Sequence, residues 1–105
     1  MAGTPSDSDS ASVIALASDE GYIEIMLIGI GDNYNNGYNE VRILIYGTEV
    51  ENPYTIYPWE IGEKIIIGKS SSDYIVNGAP LNPGDYLVKV IILDTLVLDG
   101  TVQNR

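Results

Sequence analysis

An all-β fold, an antiparallel β-sandwich of the immunoglobulin-like kind, is what this sequence predicts, on three observations. Short runs rich in Ile, Val, Leu and Tyr recur at intervals of roughly 8–12 residues, about seven or eight in all, punctuated by Gly, Asn, Asp and Pro. No stretch carries the 3.6-residue apolar period of a helix. The third observation is the C-terminal stretch, where YLVKVIIL (86–93) and LVLDGTV (96–102) are separated only by Asp94 and Thr95. Two apolar, β-branched runs so close together read as an antiparallel pair that closes a sheet.

Taken in order, the first strand expected is SVIALA (12–17), weakened by its alanines, with the break at Ser18-Asp19-Glu20-Gly21. YIEIMLIGI (22–30) follows. Strand alternation puts Tyr22, Glu24, Met26 and Ile28 on one face and Ile23, Ile25, Leu27 and Gly29 on the other, and the second set is the cleaner core face. GDNYNNGYNE (31–40) is a loop, and VRILIY (41–46) a strand with Val41, Ile43 and Ile45 on one side, ended by Gly47.

Residues 52–62, NPYTIYPWEIG, differ from the rest. Two prolines make them a poor central strand, and an edge strand or a connection lying across the surface is expected. EKIIIG (63–68) is a further strand, KSSSD (69–73) a loop and YIV (74–76) a short strand. Asn77-Gly78 and Pro83-Gly84-Asp85 are turns.

Composition limits the function. A chain of 105 residues forms one domain that buries roughly two-thirds of its unfolded surface. Residues 1–10, MAGTPSDSDS, read as a flexible leader or cloning remnant, and residues 11–105 as the sandwich domain. The chain has neither Cys nor His, so disulfides, the usual zinc sites, thiolate nucleophiles and imidazole acid–base chemistry fall away. A net charge of −10, from 15 acids against 5 bases, opposes binding to nucleic acid or to an anionic membrane surface. No apolar run is long enough to cross a bilayer as a helix.

Three constellations invite chemistry. Asp32, Asn33, Asn35, Asn36, Asn39 and Glu40 are oxygen donors in one loop, but aligned on an EF-hand the loop has Tyr34 at the third position and Ile43 at the twelfth, where an acid is required. A turn, without a metal, is the expectation. Glu60 with Glu63, and Asp94 with Asp99, are neighbouring carboxylates, yet glycoside hydrolysis needs a pair about 5–9.5 Å apart across a cleft, for which a small sandwich has little room. No catalytic, cofactor-binding or metal residue is expected, and the chain reads as a non-enzyme.

The aromatic segment carrying Tyr54, Ile56, Tyr57 and Trp59 is a binding candidate, since Tyr and Trp are enriched at protein interfaces; the competing expectation is that Trp59 plugs one end of the core. In residues 86–93 the face opposite Tyr86, Val88, Val90 and Ile92 carries Leu87, Lys89, Ile91 and Leu93, and Ile65-Ile66-Ile67 puts apolar groups on both sides of its strand. Ile66, Leu87 and Ile91 therefore join the aromatic segment as expected interface residues of a self-associating protein.

Ala11 to Ala17 followed by residues 22–32 with their Gly31-Asp32 ending, residues 39–46, and Leu81-Asn82-Pro83-Gly84-Asp85 with residues 86–93 and the closing Leu98-Asp99-Gly100-Thr101-Val102 carry a resemblance. In this order they resemble the soluble domain of archaeal type IV pilin-like proteins, which include the archaellins and the stator-type accessory proteins of the archaellum. The resemblance covers most of residues 11–102. It implies a non-catalytic structural role outside the cytoplasmic membrane, at the archaeal cell surface, with copies of itself and an accessory or surface-layer protein as partners. It also implies membrane attachment through an N-terminal hydrophobic helix, which this chain lacks, so a piece of a longer protein is expected. No Asn-X-Ser/Thr sequon occurs, Asn52 and Asn82 preceding Pro and Asn77 preceding Gly-Ala, and this favours an accessory stator over a filament-forming archaellin or pilin. An unrelated carbohydrate-binding or viral coat module is the alternative.

Overall fold

A computed structural model describes residues 11–31, 37–51 and 58–105. They form eight strands, β1 (Ser12–Ala17), β2 (Ile23–Gly29), β3 (Val41–Ile45), β4 (Thr48–Glu49), β5 (Lys64–Ser70), β6 (Asp73–Val76), β7 (Gly84–Ile92) and β8 (Thr95–Asn104). Two four-stranded antiparallel sheets, ordered β1-β2-β5-β6 and β4-β3-β7-β8, enclose one core. The second order is that of the C′CFG side of an immunoglobulin sandwich. In the first sheet the strand beside β2 precedes the edge strand in the chain, the reverse of the immunoglobulin ABED order.

The period-two alternation builds the core. Ile23, Ile25 and Leu27 of β2, Ile43 and Ile45 of β3, Ile65 and Ile67 of β5, and Val88, Val90 and Ile92 of β7 are all fully buried, as the sequence alternation requires. On β1 the inward positions are Val13, Ala15 and Ala17, so its alanines face the interior rather than weakening the strand at the surface.

The loop expected at residues 69–73 shrinks to Ser71-Ser72, because Ser71 adopts a left-handed φ of 56° that closes a tight hairpin between β5 and β6. After β6 the chain makes an unusual move. Asn77 donates its N–H to the Ile66 carbonyl on one side of β5, and Ala79 exchanges two 2.8 Å hydrogen bonds with Lys69 on the other. Residues 77–79 thus cross the outer face of β5, over Gly68, whose missing side chain makes the room: a Cβ there would overlap the Ala79 carbonyl oxygen and lie 2.7 Å from the Gly78 carbonyl carbon. The strap ends where Leu81 donates to the Gly21 carbonyl at the entrance to β2.

Asn104 pins the end of β8 to this strap. It is 3% exposed, and its Nδ2 donates to the carbonyls of Gly21, Leu81 and Asn82 at 3.4, 3.2 and 3.0 Å. Replacement by Ala leaves these carbonyls short of a donor in a buried place, so Asn104→Ala should lose about 1–3 kcal/mol in urea denaturation. Asn104→Asp should lose more at neutral pH and recover as the pH falls, because only the protonated acid can donate there.

The β7–β8 turn holds two non-glycine residues in the left-handed region, Leu93 at φ 51° and Asp94 at φ 65°. This is the two-residue turn in which Asn-Gly is preferred. Asp94→Gly should relieve the strain and raise thermal stability, by about 1 kcal/mol.

Candidate interaction surface

The outward positions of the two sheets differ in charge. On the β1-β2-β5-β6 sheet Ile14 lies opposite Met26, which in turn faces Lys64, and Leu16 lies opposite Glu24, which faces Ile66. Ile14, Leu16 and Ile28 are 38, 45 and 47% exposed, while Met26 and Ile66 are half-buried between them. On this face Glu24 and Lys64 form an ion pair at 3.3 Å, Glu20 borders the same cleft as Glu24 and Ile66, and Asp73 lies opposite Ser70 at the β6 edge.

The β4-β3-β7-β8 sheet also shows apolar groups outward, Leu87 at 53% and Leu96 at 51% exposed with Leu44 and Ile91 half-buried. Here they alternate with charges. The Arg42 guanidinium forks onto the Glu49 carboxylate, Nε to Oε2 and Nη2 to Oε1, each at 3.3 Å, and Lys89 stands opposite Asp99 in the register. A face laced with ions is a solvated face; on the first sheet Ile14, Leu16 and Ile28 lie on β1 and β2, whose outward positions carry a single charge, Glu24.

The expected interface residues do not form one surface. Ile66 lies on the outer face of the first sheet and Leu87 and Ile91 on the outer face of the second, so the sandwich itself separates them. Tyr54, Ile56 and Tyr57 lie outside the described residues. Trp59 is corrected: it is 0% exposed and belongs to the core. Its indole N–H donates to the Glu63 carbonyl at 2.9 Å, and its backbone exchanges hydrogen bonds of 3.0 and 2.9 Å with Tyr38, which is also fully buried. Gly37, at φ 95°, lets the two segments touch, since a Cβ would overlap the Trp59 carbonyl. A lone Trp in a segment with two prolines signals an edge, but a bulky indole whose N–H finds a backbone partner gains more from burial.

Ile14, Leu16 and Ile28 are the surface residues that sequence reasoning did not single out. Their signal was present: once Ile23, Ile25 and Leu27 are assigned to the core, Ile28 must point outward, and the same alternation exposes Ile14 and Leu16.

Two further features lie at the ends of the sandwich. Tyr46, Tyr74 and Tyr86 gather at one end of the sandwich, with ring centroids 5.7 Å apart for Tyr46–Tyr86 and 6.3 Å, edge-on, for Tyr74–Tyr86. Burial raises the pKa of the Tyr74 and Tyr86 phenols, and the neighbouring tyrosines add to it, so these rings pack as neutral groups. At the other end a cleft of about 350 Å³ is bounded by Glu40, Val41, Arg42, Ile91, Leu93 and Asp94. Its guanidinium is already engaged by Glu49. Of the carboxylate pairs, Glu63 accepts a hydrogen bond from the Glu60 N–H at 2.9 Å and so fixes a turn, while Asp99 faces Lys89. Among the described residues no group of three or more Asp and Glu is placed to hold a metal ion, and no helix is long and apolar enough to cross a membrane.

Compared with protein-family models, with curated proteins and with solved structures, the chain matches none.

Proposed function

We propose that this domain is a non-catalytic structural module that works by associating with copies of itself through the outer face of the β1-β2-β5-β6 sheet. The observation that carries the reading is the exposure of Ile14, Leu16 and Ile28 on β1 and β2, where the one outward charge, Glu24, is paired with Lys64. In a molecule of net charge −10, a patch whose one acid is neutralised is where two copies meet with least repulsion. Large uncharged apolar patches on soluble domains mark interaction sites.

The setting proposed for it is outside the cytoplasmic membrane of an archaeal cell, as a stator-type component of the archaellum that also contacts the surface layer. Support for the setting comes from the resemblance carried by residues 11–17, 22–32, 39–46 and 81–102. A stator has to hold a rotating filament without chemistry, and a stiff sandwich with one adhesive face suits that task.

Light scattering over a dilution series tests the self-association. Wild-type protein should form dimers or larger species that dissociate on dilution. Ile28→Lys, at an exposed position, should leave the circular dichroism spectrum unchanged and weaken association by ~10-fold or more. A strict monomer at the highest concentration reached would refute the reading. Co-sedimentation with purified archaeal surface-layer sheets tests the setting, and protein that stays in the supernatant would count against it.

A further inference from the structure

The strap of residues 77–79 carries a reactive pair. In Asn77-Gly78 a backbone nitrogen stands one residue beyond a side-chain amide, and with no side chain on Gly78 nothing shields that nitrogen. In this pairing a chain readily attacks itself. The Gly78 nitrogen, having given its proton to hydroxide, bonds to the Asn77 Cγ. The bond to the side-chain nitrogen breaks, and ammonia leaves with a proton taken from water. A second water opens the cyclic imide at either carbonyl and leaves aspartate or isoaspartate at position 77.

The fold restrains both partners of the reaction. Asn77 is exposed and sits at a left-handed φ of 63°. Its N–H is bonded to the Ile66 carbonyl at 2.8 Å, the Gly78 N–H to the Ile75 carbonyl at 3.2 Å, and Ala79 is fixed twice to Lys69. Gly78 is also wedged: a Cβ on it would lie 2.6 Å from the Ile75 Cγ2 and 2.8 Å from both the Lys69 nitrogen and oxygen. Attack requires the peptide unit between Asn77 and Gly78 to rotate and the Gly78 proton to be released. Both are blocked while the strap is seated on β5.

We propose that Asn77-Gly78 is a self-modification site gated by the strap. It is closed while residues 77–79 lie on β5, opens to imide formation when they lift, and does not close again once converted. Irreversibility follows from charge and length. Asn77 and Gly78 line a cleft of about 330 Å³ with Glu20, Tyr22, Glu24 and Ile66, so the new carboxylate arrives beside acids already there. Isoaspartate also lengthens the main chain between the Ile66 and Lys69 hydrogen bonds, which fit the original spacing. The site operates in the monomer, independently of any self-association.

Peptide mapping by mass spectrometry, on protein incubated at mildly alkaline pH either folded or unfolded in urea, tests it. Conversion at Asn77 should be slower in the folded protein by ~10-fold or more, and Gly68→Ala, which displaces the strap, should restore much of the lost rate. Should that variant fail to fold, wild-type protein in increasing sub-denaturing urea gives the same reading, with conversion rising in step with amide exchange at Ala79. Converted protein should keep its β circular dichroism and exchange the Ala79 amide ~10-fold faster than before. Equal conversion in folded and unfolded protein would overturn the gate. So would a folded Gly68→Ala that converts as slowly as wild type, or Ala79 exchange that rises without conversion. Ala79 exchange unchanged by conversion would overturn the irreversibility.

Discussion

Trp59→Ala is expected to lower the unfolding free energy by about 3–5 kcal/mol, the cost of emptying a fully buried aromatic site. The indole fills the end of the core where the segment around Tyr38 meets the approach to β5, and the deletion also orphans the Glu63 carbonyl that accepts its N–H. Urea denaturation monitored by circular dichroism reads the change. A loss below about 1 kcal/mol, accompanied by a change in oligomeric state, would return Trp59 to the surface role that its proline-flanked sequence suggests.

Gly68→Ala is expected to be nearly as damaging, although it adds one methyl group to a strand in which alanine is otherwise tolerable. Backbone, which cannot swing aside like a flexible side chain, occupies the place of the new Cβ: the Ala79 carbonyl and Gly78. Residues 77–79 must then lift off β5, which strains or breaks the two Lys69–Ala79 hydrogen bonds and loosens the Leu81 link to Gly21. Overpacking of this kind costs about 1–3 kcal/mol, and each lost hydrogen bond adds about 1 kcal/mol. Faster amide exchange at Lys69 and Ala79 should accompany the lost stability. Unchanged exchange there would mean that the strap does not depend on the glycine.

The difference between these two sites shows what the sequence made legible. Strand alternation is a local signal, so the core positions of β2, β3, β5 and β7 could be read directly from runs such as YIEIMLIGI and VRILIY. The crossing of residues 77–79 over Gly68 is a contact between β5 and a later segment, and nothing in KIIIGKS distinguishes a glycine that admits backbone from one that merely interrupts a strand. Trp59 failed as a surface residue for a related reason: its partners, Tyr38 and the Glu63 carbonyl, converge only in three dimensions.

The surface was half legible. Ile66, Leu87 and Ile91 do point outward from their strands, as the doubled apolar faces imply, but periodicity cannot tell which sheet a strand joins. Only the sheet order separates Ile66 from the other two and groups it with Ile14, Leu16 and Ile28. Charge then separates the strands, because Arg42, Glu49, Lys89 and Asp99 interleave with the apolar groups of the β4-β3-β7-β8 sheet, whereas β1 and β2 carry only Glu24 outward.

Chemical shifts recorded residue by residue during dilution of the labelled protein test most directly whether the β1-β2-β5-β6 sheet is the working surface. The methyl and amide signals of Ile14, Leu16, Met26, Ile28 and Ile66 should move together between about 1 mM and 10 μM, while those of Leu87, Lys89 and Ile91 stay in place. Movement confined to Leu87, Lys89 and Ile91, or no movement anywhere in that range, would contradict the account.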